Sequence, residues 1–177
     1  MAPVLIMSAL LFFGSKVIAQ TAPAAPWGID AALETGIPAG NLSNYTEYML
    51  GSTARLHYNT SNNFGIILTS GFYDMIAGST TNIYTKGNVT YLTTRHDLSI
   101  VPVKVGIKDF FENNTYFTAE GGEGFETNYK EHKKLILSPG IGRTLGPWEA
   151  RVRYEDFSGK VNNYGLVGLR IAYEIGS

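Results

Sequence analysis

Apolar and polar residues alternate along residues 27–38. Trp27, Ile29 and Leu33 fall at odd positions, whereas Asp30 and Glu34 fall at even positions. Successive side chains of a β-strand point to opposite faces, so this pattern gives an extended chain one apolar face and one polar face. A helix would scatter the two acidic residues among the apolar ones and leave no continuous apolar stripe. The segment is therefore predicted to be a strand.

The same period of two returns seven times in the rest of the chain. The alternating segments are 27–38, 45–58, 64–74, 98–110, 116–125, 135–142, 148–155 and 164–175. They account for nearly all of the chain after residue 27 without a helix. Strands of about ten residues that follow one another in this way are typical of a β-barrel. The chain is therefore predicted to be all-β, an eight-stranded antiparallel up-and-down barrel.

Two places depart from the regular pattern. Residues 75–97 form a long polar segment without a convincing core pattern, and its middle is expected to extend the neighbouring strands into a hairpin beyond the sheet. Connections of this length usually serve a function or are mobile. Pro102 lies inside the fourth segment and cannot donate a backbone hydrogen bond, which predicts a bulge there.

The alternation alone does not say which face of the barrel is inside. A soluble lipocalin-like barrel hides its apolar face, whereas an outer-membrane barrel turns that face to lipid. Glycines collect on the polar face, and a narrow interior needs small residues beside large ones. The polar face also carries both signs of charge, which can pair across an enclosed lumen. The predicted lumen charge network consists of Glu34, Glu47, Arg55, Lys104, Lys108, Glu120, Glu149, Arg151, Arg153, Glu155 and Arg170.

Aromatic residues lie near the ends of the apolar face, as they do at the two interfaces of a membrane barrel. The predicted interface aromatics are Trp27, Tyr48, Tyr58, Phe64, Phe72, Trp148, Tyr154 and Tyr173.

The connections between the strands alternate in length. Those after the second, fourth and sixth strands are short, at 59–63, 112–114 and 143–147, whereas the others are medium or long. A membrane barrel with both termini in the periplasm has short turns on one side and longer loops on the other. The lengths therefore favour an outer-membrane barrel over a soluble ligand-binding barrel.

Composition narrows the possible functions. The formal net charge is −1, so nothing indicates a nucleic-acid partner. Charged residues make up 16% of the chain, which is below the ~25% of ordinary soluble domains. The chain has no Cys, which excludes a disulfide framework and a thiolate metal site. No cofactor and no metal site is predicted.

The N-terminus has the pattern of an export signal. Residues 4–13 form a short apolar run, followed by the small-residue exit Val17, Ile18 and Ala19. The predicted organisation is a signal peptide over residues 1–19, a flexible lead-in over residues 20–26 and the barrel over residues 27–177. No Lys or Arg precedes the apolar run, and a buried N-terminal helix is the alternative.

Several stretches resemble one family in their residues and in their order. They are ALETGIPAGNLSNY, STARLHYNTSNNFGIILTSGFY, IVPVKVGIKDFF, FTAEGGEGF, LSPGIGR and GLVGLRIAYEI. With these stretches the chain resembles the small eight-stranded outer-membrane β-barrel proteins of Gram-negative bacteria, over almost everything after Trp27. The resemblance implies this fold and an outer-membrane location, but no particular activity. Many such barrels end on an aromatic residue, whereas here four residues follow Tyr173.

A catalytic site is the main functional alternative, because some small barrels are lipid A deacylases. Here His96 and Ser99 are three residues apart, so on a strand they point to opposite faces, and a serine nucleophile needs a base within hydrogen-bond reach. His57 is interpreted as a hydrogen-bonded member of the lumen, and His132 as part of a solvated loop. No catalytic residue is predicted.

The sequence therefore predicts a monomeric, non-enzymatic barrel of the bacterial outer membrane with a charge-filled interior. Its role is expected to be structural or in surface recognition. The expected partners are membrane lipids, lipopolysaccharide and, during insertion, the barrel-assembly machinery. The alternatives are a lipid-modifying outer-membrane enzyme and a soluble lipocalin-like barrel.

Overall fold

The computed structural model describes residues 26–40, 43, 46–60, 63–77, 82–86, 89–93, 97–111, 114–127, 133–159 and 163–176. The predicted signal peptide and nearly all of the predicted lead-in lie outside the described residues. No helix long and apolar enough to cross a membrane occurs in the part of the chain that the structure describes.

Ten strands follow one another within the described ranges of the chain. They are β1 (Trp27–Ala39), β2 (Thr46–Asn59), β3 (Phe64–Ala77), β4 (Asn82–Lys86), β5 (Val89–Thr93), β6 (Leu98–Phe110), β7 (Thr115–Glu126), β8 (Lys133–Leu145), β9 (Trp148–Ser158) and β10 (Tyr164–Gly176). All eight alternating segments of the sequence correspond to strands, and most strands extend one to three residues beyond the predicted bounds.

Eight of these strands form one closed barrel in the order β1-β10-β9-β8-β7-β6-β3-β2. Every neighbouring pair is antiparallel, and β1 and β10, the first and last of the described strands, pair with each other to close the sheet. The predicted fold class, an eight-stranded antiparallel up-and-down barrel, is confirmed.

The long connection between β3 and β6 contains the remaining two strands. β4 and β5 pair only with each other, as a two-stranded antiparallel sheet separate from the barrel. The expected hairpin is therefore present, but as a sheet of its own and not as an extension of β3 and β6. The barrel strand before it is longer than the pattern indicated, because β3 continues to Ala77 and buries Met75 inside the barrel.

The predicted bulge at Pro102 is wrong. β3 and β6 pair in one register from Phe64 to Met75, but the ladder is interrupted between Ser70 and Tyr73, opposite the segment that contains Pro102. The missing N–H of the proline removes a ladder bond without inserting an extra residue. Register shifts occur elsewhere, at residues 29–30 of β1 and 46–48 of β2.

Glycines allow the strands to pack closely around a narrow interior. A Cβ atom on Gly122 would lie 2.0 Å from the Val103 carbonyl oxygen, and one on Gly106 would lie 2.3 Å from the Ala119 carbonyl oxygen. Real side chains do not tolerate such distances from a neighbouring backbone. The collection of glycines on the inner face is therefore a steric requirement of this barrel.

The barrel has two distinct ends. One end, called here the short-turn end, carries the short connections at 60–63, 111–114 and 146–147 together with both ends of the described barrel. The opposite end, called the long-loop end, carries the connections at 40–45, 78–97, 127–132 and 159–163. This is the alternation that the sequence predicted.

The apolar face of each strand points away from the barrel axis. Leu33 is 74% exposed, Val105 is 58% exposed, and Leu56 and Val103 are also exposed, whereas the alternate positions are buried. A soluble protein rarely exposes a continuous apolar surface of this extent, and lipid is the solvent that covers it favourably. The soluble lipocalin-like alternative is therefore not supported.

Candidate functional site

The interior of the barrel is the most distinctive part of the molecule, because it is charged where most protein cores are apolar. Ten of the predicted lumen residues are buried inside it: Glu34, Arg55, Lys104, Lys108, Glu120, Glu149, Arg151, Arg153, Glu155 and Arg170. They lie on six different strands, so the closed sheet brings together side chains that are distant in sequence. Burying so many charges is costly unless each one is paired.

Glu149 on β9 is surrounded by three cations. Its carboxylate accepts hydrogen bonds from Arg55 Nη1 at 2.8 Å, from Lys108 Nζ at 2.6 Å and from Arg170 Nη1 at 3.0 Å. These cations come from β2, β6 and β10. One carboxylate thus joins four strands of the barrel across the lumen.

A second group of ion pairs lies nearer to the long-loop end. Glu155 pairs with Lys104 and, at 3.1 Å, with Arg153, which also pairs with Glu34. The hydroxyl of Tyr73 accepts hydrogen bonds from Lys104 Nζ and from Arg153 Nη2, each at 3.1 Å. Tyr73 of β3 therefore binds both cations of this group, and it lies across the lumen from Glu155 of β9.

A third group is centred on Glu120 of β7. Its carboxylate pairs with Arg151, accepts a hydrogen bond from Thr69 Oγ1 at 2.6 Å and lies 3.9 Å from Arg55 Nη2. Since Arg55 also binds Glu149, this group is continuous with the first.

Arg170 of β10 connects the first and second groups at the seam of the barrel. Its guanidinium group pairs with Asp30 and Glu34 of β1 and with Glu149 of β9. These ten charged residues and the buried Asp30 therefore form one connected network.

Two features of the network correct or extend the sequence prediction. Glu47 is exposed and lies outside the lumen, because the register shift between Thr46 and Tyr48 breaks the alternation at that position. Asp30 is buried and was missed, although it shares the inward parity of Glu34. The buried hydroxyls of Thr53 and Thr69 also form hydrogen bonds with charged side chains of the network. The sequence prediction did not include these threonines because they carry no charge.

An apolar layer closes the lumen above the network, toward the long-loop end. It consists of Met49, Tyr73, Met75, Ile100, Ile136, Phe157, Tyr164 and Leu166, with Leu98 packed against it. The rings of Phe157 and Tyr164 stack with centroids 4.9 Å apart. Within the described strands, side chains fill this cross-section, as expected for a barrel of only eight strands.

The short-turn end of the lumen is lined by a cation and two aromatic rings. Lys108 Nζ lies 4.8 Å from the ring centroid of Phe110 and 4.2 Å from that of Tyr116 while it pairs with Glu149. His57 lies beside it, with Nδ1 3.9 Å from Asp30. The structure thus places His57 on the lumen face, as predicted, although its 3.9 Å separation from Asp30 is longer than the predicted hydrogen bond.

All eight predicted interface aromatics point outward and are exposed. At the short-turn end, cross-strand pairs form between Trp27 and Tyr58, with ring centroids 4.6 Å apart, and between Trp148 and Tyr173, at 5.0 Å. Tyr58 and Tyr48 are ten residues apart on β2, which at ~3.3 Å per residue and a tilt of ~40° separates them by about 25 Å along the barrel axis. The apolar band of an outer-membrane barrel has this height.

The structure describes only part of the candidate catalytic cluster. Ser99 Oγ donates a hydrogen bond to Asp74 Oδ1 at 2.9 Å on the neighbouring strand. Asp97 accepts a hydrogen bond from the backbone N–H of Ala77 at 2.9 Å. His96 and His132 lie outside the described residues.

Comparison with known proteins gives the same class of fold. No family model matches the chain, and no curated protein matches it in sequence. The crystal structure of Ail, the attachment invasion locus protein of Yersinia pestis, matches with a TM-score of 0.55 and 12% identity over 84% of this chain and 97% of that chain. A designed transmembrane β-barrel matches with a TM-score of 0.52 and 14% identity over 85% of this chain and 98% of that chain.

The fold and the outward apolar face together define a transmembrane β-barrel of the small eight-stranded outer-membrane type. The backbone structure of Ail in a phospholipid bilayer nanodisc, an outer membrane protein, also matches, with a TM-score of 0.50. The predicted resemblance is thereby confirmed at the level of the fold, and the predicted bacterial outer-membrane location agrees with it.

Proposed function

We propose that this protein is a non-enzymatic outer-membrane barrel that is closed to solutes and presents its long connections at the cell surface. Its proposed role is in envelope structure or in surface recognition. The observation that carries the proposal is the filled lumen. Charged side chains paired across the interior and an apolar layer above them leave no wide aqueous path between the described strands. A barrel that does not conduct exerts its function through its surfaces.

The connection between β3 and β6 is the most prominent of these surfaces. It spans residues 78–97 and contains the β4–β5 hairpin, which belongs to no barrel sheet. We assign the long-loop end to the cell exterior because outer-membrane barrels have their longer loops there. The name of Ail, attachment invasion locus protein, is consistent with a barrel of this size serving attachment.

The proposed lipid partners contact the outer face of the same end. Asp74 and Asp156 lie two positions beyond the outward aromatics Phe72 and Tyr154, and a further exposed pair joins Glu123 and Lys133 at 3.6 Å. This sequence of apolar, aromatic and charged side chains matches the change from hydrocarbon to headgroups. We propose that the charged positions contact lipopolysaccharide, that the barrel-assembly machinery inserts the chain, and that the chain acts as a monomer.

Conductance measurements test the closed lumen. The purified, folded protein is added to planar bilayers beside a general porin as the positive control. We expect no conductance steps comparable to those of the porin, because the lumen is filled by paired side chains. Porin-sized steps from the folded protein would overturn the proposal.

Replacing the hairpin tests the surface role. In the variant, residues 78–96 are replaced by a short Gly-Ser linker, while the matched control replaces only the connection at 159–163. Both variants are expected to keep the heat-modifiable gel migration of a folded barrel, and only the hairpin variant is expected to lose surface binding by cells. If the hairpin variant changed neither surface binding nor envelope integrity, the recognition role would be refuted.

The absence of enzymatic activity is tested at Ser99. Its hydroxyl donates to the Asp74 carboxylate on the neighbouring strand and not to a histidine, the base expected beside a serine nucleophile. We expect Ser99→Ala and His96→Ala to leave the lipid A composition of the expressing cells unchanged. A change in lipid A acylation that depends on either residue would favour the lipid-modifying enzyme instead.

A further inference from the structure

The outer surface of the barrel carries few charges in the half toward the short-turn end. Among the described strands, only β6 and β8 place a charged side chain on the outward face there, namely Asp109 and Arg143. Both are exposed, and neither has an ion pair or a side-chain hydrogen bond within the described ranges. Charged groups that face a membrane are costly unless they are paired. These two charges of opposite sign therefore indicate a ligand that carries both signs of charge itself.

The two charged residues border the same patch of the outer surface. β7 lies between β6 and β8. Asp109 is opposite Phe117 of β7, and Arg143 is opposite Thr115, two positions along the same outward face. With strands ~4.8 Å apart and ~3.3 Å per residue, the two Cα atoms are about 12 Å apart. A small molecule with two charges can lie between the side chains and contact both.

Aromatic rings lie beside Asp109. Phe64 of β3 and Phe117 of β7 are its direct cross-strand neighbours, and Phe111 follows it by two positions along the chain. All three rings are exposed. A carboxylate pairs with a cation, and the faces of neighbouring rings attract the same cation. The surroundings of Asp109 therefore suit an ammonium group.

Arg143 lies at the level where phosphate groups are found. Its cross-strand neighbours Thr115 and Ala150 are small, and Ala150 is two positions from the interface residue Trp148. An arginine at this depth extends its guanidinium group toward the lipid headgroups. The planar guanidinium group matches two oxygens of a phosphate at once. Arg143 therefore suits the phosphate of a lipid headgroup.

We propose that this outward face of β6, β7 and β8 binds one phospholipid of the phosphoethanolamine type. Its phosphate contacts Arg143, and its primary ammonium group donates hydrogen bonds to Asp109. A choline group has no N–H to donate, and a glycerol headgroup has no cation, so neither fits both residues. The site goes beyond the lipopolysaccharide contacts proposed above, which lie at the other end of the barrel. It rests on the proposed orientation only for the leaflet that supplies the lipid, which is the periplasmic one.

Carbodiimide coupling tests the contact at Asp109. The folded protein is placed in vesicles of equal parts phosphatidylethanolamine and phosphatidylglycerol. The reagent activates a carboxyl group, the lipid amine then forms an amide with it, and the displaced oxygen leaves in the urea by-product. We expect a lipid adduct at Asp109 in several-fold excess over Asp156, an outward aspartate at the long-loop end. Equal yields at the two residues would overturn the proposal.

A matched pair of variants tests whether one lipid joins the two residues. Arg143→Gln removes the proposed phosphate partner, whereas Lys133→Gln removes an outward cation at the other end of the same strand. Both substitutions are at exposed positions, and heat-modifiable gel migration verifies that both variants fold. The adduct at Asp109 is expected to fall several-fold in Arg143→Gln and to persist in Lys133→Gln. An equal yield in both variants would refute a shared lipid.

Native mass spectrometry tests the choice of headgroup. The protein is released from micelles that contain equal amounts of phosphatidylethanolamine, phosphatidylcholine and phosphatidylglycerol. The unaltered protein is expected to retain the first lipid in several-fold excess over the other two, and Asp109→Asn is expected to lose this preference. Equal retention of the three lipids by the unaltered protein, or a preference that survives Asp109→Asn, would overturn the proposal. Neither result depends on lumen closure or on the hairpin, so a failure here leaves the proposed function standing.

Discussion

A substitution of Glu149 is the most direct test of how much the buried ion pairs contribute to the stability of the barrel. Its carboxylate binds three cations at 2.6 to 3.0 Å, and it is buried. Glu149→Gln retains the size and shape of the side chain but removes its charge. Three cations would then share the lumen with one carboxylate fewer, and the fully buried Arg55 and Arg170 could not reach water without disrupting the barrel.

The size of the effect follows from the burial of the partners. Removing one member of a buried ion pair typically costs 3–5 kcal/mol, because the charge that remains is uncompensated. We therefore expect Glu149→Gln to lower the free energy of unfolding by about 3 kcal/mol or more, which is over a hundredfold in the equilibrium constant. The matched control is Glu123→Gln, because Glu123 pairs with Lys133 on the outer surface, where the two side chains are 54% and 65% exposed. An exposed pair contributes only ~0–1 kcal/mol.

Urea unfolding in lipid vesicles measures both variants. Trp27 and Trp148 point outward and are 55% and 52% exposed, so their fluorescence reports contact with lipid. We expect a large loss for Glu149→Gln and a small loss for Glu123→Gln. Equal losses in the two variants would refute the reasoning that pairing inside the lumen holds the barrel together.

Three further predictions, two of them with a matched control variant, test other parts of the structure. Leu33→Arg should destabilise the barrel in vesicles by ~2–4 kcal/mol and Ile175→Arg, near the short-turn end, by ~0–1 kcal/mol; equal effects would contradict the assigned depths. Gly122→Ala would place a Cβ atom 2.0 Å from a backbone oxygen, so it should lose heat-modifiable gel migration, whereas Gly176→Ala, with nothing within 4 Å, should keep it. Tyr73→Phe removes the oxygen that accepts bonds from two buried cations and should lower the free energy of unfolding by ~1–3 kcal/mol; an unchanged urea transition would show that the hydroxyl is dispensable.

The strands and the faces on which their side chains lie could be predicted from the sequence because side chains alternate strictly between the two faces of a strand. Once Leu33 is outward, Glu34 must be inward, and the same rule holds along every regular segment. The inner face contains glycine and both signs of charge, and this composition indicates that the apolar outer face contacts lipid. These predictions needed no knowledge of which strands are neighbours.

Irregular positions and specific partners could not be predicted in this way. Glu47 was assigned to the lumen because the alternation gives no sign of the register shift that turns it outward. Pro102 was expected to force a bulge, but the strand tolerates it by giving up a ladder bond. The three partners of Glu149 depend on strand stagger and side-chain reach across the lumen, which the sequence pattern does not contain.

The ion pairs of Arg170 depend on the order in which the strands of the barrel are synthesised. It is carried by the last strand of the barrel to be synthesised, and its two acidic partners on β1 are among the first residues of the barrel to appear. A chain that stops before residue 170 would leave Asp30 and Glu34 without this cation as well as leaving the sheet open. Truncated products would therefore be poorly tolerated in a bilayer and available to proteases, so that closure itself distinguishes complete chains from incomplete ones.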